Sequence, residues 1–245
     1  MKKFFTLARL VYRRDPLLRF LILREVAIWL MPSYRLHWPH LSWLSDELFT
    51  RYLKKFDQLR DSNSHRHWML KQLMKQVSNL SGNTAECGVF KGASSYLICE
   101  ANQANGGRRL HHMFDSFVGL SKPSAVDGDA WLEGDLACSL ESVRNNLCEF
   151  DNEEMAFHAG WIPERFCEVN DQQFSFVHID VDLYQPTMDS LIFFYPRMQP
   201  GGIILVDDYG FTTCPGATAV CDEYIQGKPE PIISLPTGGG FLIKK

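Results

Sequence analysis

The chain has no CxxC pair, and its seven cysteines (Cys87, Cys99, Cys138, Cys148, Cys167, Cys214, Cys221) are scattered and odd in number. This pattern argues against a disulfide framework and against a zinc site, and a reducing cytoplasm is the expected compartment. Long apolar runs are also missing. Arg9, Arg13, Arg14, Arg19 and Arg24 interrupt the N-terminal hydrophobic stretch, so no window approaches the roughly 20 apolar residues of a membrane span. Nor does a small-residue cleavage site follow an apolar core, so a signal peptide is not expected. Basic charge is scarce outside the N-terminus. Residues 1–45 hold eight Lys or Arg against two acidic residues, a balance of +6, and the net charge of −4 then leaves −10 on the remainder. An acidic body argues against a nucleic-acid partner. No internal repeat or low-complexity tract interrupts the sequence.

What is present is ordinary for a folded protein: 45% hydrophobic and 22% charged residues over 245 positions, enough for one large α/β domain and an appendage. Three sections are expected: a basic apolar arm over 1–40, a helical cap over 41–82, and an α/β body over 83–245. In the arm, Asp15-Pro16 marks a helix start and Pro32 its end near Met31. Arginine interleaved with leucine, phenylalanine and tryptophan suits a helix lying on an anionic membrane surface, and equally one packed on the domain or a second subunit. In the cap, Ser64-His65-Arg66-His67 breaks the apolar pattern, as an exposed turn or as groups that reach a ligand. Trp38, Trp43 and Phe49 either stack on a sugar face or pack into the core. In the body, β-type runs near 84–89, 110–114, 155–159, 174–180, 202–207, 231–235 and 240–244 predict seven strands. Helices are predicted between most of them, at Ala93 to Ala104, Ser139 to Phe150, Pro186 to Met198 and Ala217 to Gln226. Only Thr237-Gly238-Gly239 separates the last two strands, so they form a hairpin on a mostly parallel sheet.

Two acidic clusters stand at the ends of strand-like runs: His178-Ile179-Asp180-Val181-Asp182 and Ile204-Leu205-Val206-Asp207-Asp208. The helix between them makes the two strands parallel neighbours, so four aspartates meet at the sheet edge where open α/β folds bind ligands. Crowded carboxylates need a cation, and hard oxygen ligands suit Mg2+, Mn2+ or Ca2+. The first strand leads into Glu86-Cys87-Gly88-Val89-Phe90-Lys91-Gly92, a glycine turn opening a helix, where the backbone accommodates an anionic or adenosine-bearing ligand. Its Gly-x3-Gly spacing lacks the dinucleotide fingerprint. Asp115, ending the second strand, is placed to accept from ribose hydroxyls, although a strand-terminal aspartate also serves as a simple turn cap.

As a set, Glu86 to Gly92, Phe114-Asp115-Ser116-Phe117-Val118-Gly119-Leu120, Gly134-Asp135-Leu136, Ala159-Gly160-Trp161, His178 to Tyr184 and Asp207-Asp208-Tyr209-Gly210 resemble the macrocin O-methyltransferase family, in the family's order. The resemblance covers about 83–245. It implies a class I methyltransferase fold, Rossmann-like, with a seven-stranded, mostly parallel sheet and an N-terminal helical cap. It further implies S-adenosyl-L-methionine as methyl donor, Mg2+ or Mn2+ dependence, a sugar-hydroxyl acceptor on a small molecule or glycan, and a homo-oligomer. Carried over by position, Glu86 and Gly88 line the methionine part of the cofactor, Asp115 meets the ribose, Ser116 and Phe117 flank the adenosine, and Gly160 and Trp161 lie near the adenine. Asp135 belongs more loosely to the same pocket. Asp180, Asp207 and Asp208 hold the metal, and Asp182 is the candidate general base. Val118 replaces the family's usual Glu, which is expected to alter a pocket wall. His178 is read as a hydrogen-bonded core histidine, with a catalytic role as the alternative.

A metal-bound sugar hydroxyl is the better nucleophile because the cation stabilises the developing alkoxide. Two other classes compete with this reading: a metal-dependent phosphohydrolase, and a membrane-recruited, non-enzymatic binding module that works through residues 1–40.

Overall fold

The computed structural model describes residues 16–32, 41–59, 63–106 and 109–245. It comprises two compact units, Met1–Tyr52 and Leu53–Lys245. The division falls at residue 52, so the helical segment expected over 41–82 is shared between them.

In the first unit, helix α1 (Pro16–Leu30) begins on a proline, and its expected cap Asp15 lies outside the described residues. A proline at this position forfeits no intrahelical bond. Helix α1 carries Arg19, Arg24 and Glu25 among its apolar side chains and leaves Leu23, Trp29 and Leu30 exposed. A short 3-10 turn, Ser42–Ser45, precedes helix α2 (Glu47–Lys55), whose first turn is capped by Asp46 accepting from the Phe49 N–H at 2.7 Å. Trp43 meets Phe49 edge-on at 6.0 Å and Phe49 stacks on Tyr52 at 5.6 Å, so these rings pack on one another; Trp38 lies outside the described residues.

The second unit is built on a seven-stranded sheet with the order β3-β2-β1-β4-β5-β7-β6. The strands are β1 (Asn83–Cys87), β2 (His111–Asp115), β3 (Met155–Ala159), β4 (Phe174–Ile179), β5 (Met198–Val206), β6 (Ile233–Ser234) and β7 (Gly240–Ile243). The first five are parallel, while β7 runs antiparallel to β5 and pairs with β6. Every residue of β4 is buried, as a central parallel strand covered on both faces requires. Helix α3 (Ser64–Gln76) precedes the sheet, and α4 (Ala93–Ala104), α5 (Leu140–Asn146), α6 (Tyr184–Phe194) and α7 (Pro215–Ile225) are interleaved with its strands.

Period-2 alternation sends Ala85 and Cys87 of β1, with Val177 and Ile179 of β4, into one core with Leu191 and Phe194 of α6 and Val220 of α7. Val89, Cys99 and Met113 enter a second core with Val143 and Leu147. Strands β1, β2, β4 and β5 all run in one direction, so the residues that follow them, Gly88, Ser116, Asp180 and Asp207, emerge at the same edge.

Candidate active site

A cavity of about 550 Å³ opens at this edge. Gly88, Asp115 and Trp161 line it from the first three strands, and Asp180, Asp182, Asp207 and Asp208 line it from the fourth and fifth. Gly88 has φ +83, and a Cβ there would lie 1.8 Å from the Asp180 carbonyl oxygen, so only glycine lets the two turns meet. Asp115 joins the turns: its Oδ2 accepts from the Val89 and Phe90 N–H groups at 2.7 and 3.1 Å, and its Oδ1 from the Phe117 N–H at 2.6 Å. These bonds use three of the carboxylate's four lone-pair sites and leave one on Oδ1. Phe90, Phe117 and Asp182 all hold positive φ, concentrating backbone strain along this edge.

The aspartates form two close groups. Asp180 and Asp207 gather with His178, and Asp182 and Asp208 gather with Cys214, with ligand atoms within 4.8 Å of one another in each group. Asp208 Oδ2 also accepts from the Asp182 N–H at 2.8 Å. Burial and then repulsion from Asp207 push Asp180 up to about 8, and burial leads the rise of Asp182 to about 6. Burial and three neighbouring aspartates hold Asp208 well above the usual carboxylate range. Asp207 differs. Burial alone would raise it, but the His178 imidazole and the Arg66 guanidinium outweigh that and bring it to about 2. Three carboxylates thus lack sufficient positive charge nearby, and their hard oxygen donors fit a divalent ion.

Behind Asp207 runs a buried polar chain. Asn102 donates to Thr84 Oγ1 at 2.9 Å, and Thr84 meets His111 Nδ1 at 3.1 Å. Glu86, fully buried, accepts from Ser95 Oγ and from His178 Nδ1, the latter at 2.9 Å. His178 Nε2 in turn lies 3.6 Å from Asp207 Oδ1. Burial disfavours the Glu86 charge, yet the facing His111 and His178 imidazoles bring its pKa down to about 2. Parallel register puts Glu86 beside His178. His178 is therefore a core histidine through Nδ1, with Nε2 turned toward the aspartates.

Several expected positions fall elsewhere. Glu86 is not part of the cavity wall, because its carboxylate is committed to this interior network. Asp135 is likewise outside the wall and closes its own turn by accepting from the Leu132 N–H at 2.8 Å. Phe117 packs beside the second core, and Gly160 lies behind the wall, its N–H donating to the Asp115 carbonyl at 2.9 Å. Val118 is 61% exposed and does not line the cavity. Gly88, Asp115, Ser116, Trp161 and all four aspartates do line it.

Other wall residues carry little sequence signal. Cys214 Sγ lies 3.6 Å from Asp182 Oδ1 and 3.8 Å from Asp208 Oδ1, and burial raises the thiol to about 12, keeping it protonated. Trp131 Nε1 donates to the same sulfur at 3.4 Å. Arg66 and His67 line the cavity, so the polar break in the helical segment does reach it.

Residues 63–239 match the macrocin O-methyltransferase (TylF) family. The chain belongs to this family. Among curated relatives, the family resemblance extends to 8-demethyl-8-(2,3-dimethoxy-alpha-L-rhamnosyl)-tetracenomycin-C 4'-O-methyltransferase of Streptomyces olivaceus, 32% identical over 56% of this chain and 57% of the relative. Demethyldecarbamoylnovobiocin O-methyltransferase of Streptomyces niveus is 30% identical over 63% of each chain. The chain thus spans about three-fifths of the length of these relatives. Among solved structures, the O-methyltransferase NovP superposes with a TM-score of 0.61 at 27% identity, covering 74% of this chain and 79% of its own. Calicheamicin methyltransferase CalS11 gives 0.65 at 18% identity, covering 87% and 96%, a likeness of fold. The seven-stranded class I methyltransferase architecture implied by the sequence motifs is the observed one.

Proposed function

We propose that this protein is an S-adenosylmethionine-dependent O-methyltransferase that uses a divalent ion, Mg2+ or Mn2+, to methylate a sugar hydroxyl. The observation that carries the reading is that Asp115 of β2 and the aspartates after β4 and β5 line one cavity at one sheet edge. The relatives' names support a glycosylated small molecule as acceptor. Neither a phosphohydrolase nor a non-enzymatic binding module finds support in the comparisons.

When bound, the sulfonium cofactor supplies an electrophilic methyl group, and a divalent ion lowers the pKa of a sugar hydroxyl beside it. Gly88, Asp115, Ser116 and Trp161 would hold the cofactor. Gly88 lets its turn close against the Asp180 carbonyl at the cavity wall, Asp115 accepts from the ribose, and Trp161, 41% exposed, offers a ring face. Asp180, Asp207 and Asp208 would hold the ion. Asp182 takes the hydroxyl proton, and its upward shift to about 6 in the ion-free fold suits a proton acceptor near neutrality. A nearby cation lowers that value, so deprotonation then leans on the ion's effect on the hydroxyl.

Among the described residues no helix is long and apolar enough to cross a membrane. Exposed Leu23, Trp29 and Leu30 beside Arg19 and Arg24 support peripheral membrane contact through α1 as part of the same proposal. Calorimetry with S-adenosylhomocysteine tests the cofactor assignment. Saturable one-site binding is expected, weakened by Asp115→Ala; no binding at millimolar ligand would sink it.

A further inference from the structure

Arg66 stands in the first turn of α3 with His65 and His67, a turn that contains no acidic residue. Cations are disfavoured there by the helix dipole, so these basic residues oppose local helix electrostatics. Their partners explain the placement. The Arg66 Nη1 donates to Asp207 Oδ2 in an ion pair whose side chains are only 17% and 12% exposed, and it reaches the Asp207 carbonyl at 3.4 Å. Its Nη2 donates to Asn63 Oδ1 at 2.6 Å, and the guanidinium lies 5.0 Å from the Phe211 ring. His65 Nε2 donates to the Thr237 carbonyl at 3.0 Å. The turn is thus fastened to the loops beyond β5 and before β7, with its one fixed charge set on one of the four aspartates.

We propose that Arg66 is a built-in counter-cation that holds Asp207 in the ion-free protein and must release it when a divalent ion binds. This rests on the divalent-ion reading of the aspartates. The guanidinium bonds Asp207 Oδ2, while His178 Nε2 faces Oδ1 from 3.6 Å, so a fixed cation already holds one oxygen of that carboxylate and an imidazole stands near the other. A divalent ion that takes Asp207 competes with Arg66 for it. Asn63, Arg66 and His67 also line the cavity, so release of Arg66 alters the wall an acceptor meets, and ion binding is coupled to acceptor access. A ligand that must first break a resting contact binds more weakly by the fraction of time that contact is open.

The test is Mn2+ binding to the full chain, followed by electron paramagnetic resonance with saturating S-adenosylhomocysteine, in wild type, Arg66→Met and Asn63→Ala. Met keeps the aliphatic stem; Asn63→Ala keeps the charge but loosens its anchor. The expected result is Mn2+ affinity raised roughly tenfold or more in Arg66→Met and by a smaller, measurable factor in Asn63→Ala. Unchanged or weaker affinity in Arg66→Met overturns the proposal. Tighter binding in Arg66→Met with Asn63→Ala at the wild-type value also overturns it, since a through-space charge effect then accounts for the gain without a held contact. No Mn2+ binding by any of the three proteins overturns the divalent-ion reading as well, which separates the two failures.

Discussion

Replacing Gly88 with alanine strikes the closest backbone approach in the site. The added Cβ would lie 1.8 Å from the Asp180 carbonyl oxygen, whereas real Cβ contacts essentially never fall below 3.0 Å, so the turns after β1 and β4 must part by at least about 1.2 Å. That movement pulls on two sheet-edge hydrogen bonds, Asp180 N–H to the Cys87 carbonyl at 2.8 Å and Gly88 N–H to the Phe114 carbonyl at 2.9 Å. The left-handed φ of +83 adds a cost of ~1–2 kcal/mol for a residue bearing a Cβ. A displacement on the order of 1 Å in a reacting constellation costs about 100-fold in rate, and a clash of this kind lowers stability by roughly 2–5 kcal/mol. Gly227→Ala is the matched control, because φ is +77 there and nothing lies within 4 Å of the added Cβ. The assay pairs urea unfolding with calorimetric titration of S-adenosylhomocysteine. Gly88→Ala should weaken S-adenosylhomocysteine binding and lower the methyl-transfer rate on the order of 100-fold, while Gly227→Ala loses only ~1–2 kcal/mol of stability and neither affinity nor rate. Wild-type affinity in Gly88→Ala, or equal losses in both variants, would refute the reasoning.

Ion-free stability should fall as pH rises from about 4 to 8. Asp180 and Asp182, raised to about 8 and about 6, bind protons more tightly folded than unfolded. For Asp182 alone the effect is at most about 3 kcal/mol. Asp207 and Glu86, lowered to about 2, contribute stability that is present above about pH 4 and lost as pH falls toward 2. Urea midpoints in EDTA across this range check both signs, and a curve rising between pH 5 and 8 would contradict the assignment for Asp180 and Asp182. Glu86→Ala should destabilise by ~3–5 kcal/mol because it strips a buried carboxylate from two imidazoles. Glu86→Gln should lose less, since its amide oxygen still accepts from His178; equal denaturation midpoints for wild type and the alanine variant would count against the network.

The strands and the acidic edge were legible because they rest on local signals. Apolar runs gave the seven strands, and carboxylates directly after β4 and β5 marked the edge where parallel strands end. The strand expected over 202–207 begins earlier, at Met198, with a register irregularity against β4 between Phe174 and Phe176. The interior partners of Glu86 are not readable locally because strand register sets them: the β1–β4 pairing puts it opposite His178, ninety-two positions away. Cys214 and the grip of Arg66 on Asp207 are also long-range contacts, spanning 141 residues for the latter. No periodicity encodes them. Residues 127–133 show the same limit, since Asp127 is buried and accepts from the Tyr184 N–H at 2.7 Å while Asp129 and Glu133 are exposed.

Methyl transfer by this protein needs the aspartate edge under the proposed function. The decisive measurement is the rate at which labelled methyl passes from S-adenosylmethionine to a panel of glycosides, with Mg2+ and with EDTA, in wild type and Asp180→Asn. Transfer to a sugar hydroxyl is expected with Mg2+, and its loss in EDTA and in Asp180→Asn, with S-adenosylhomocysteine still binding, marks an ion held at the aspartates. Undiminished transfer in EDTA would contradict it.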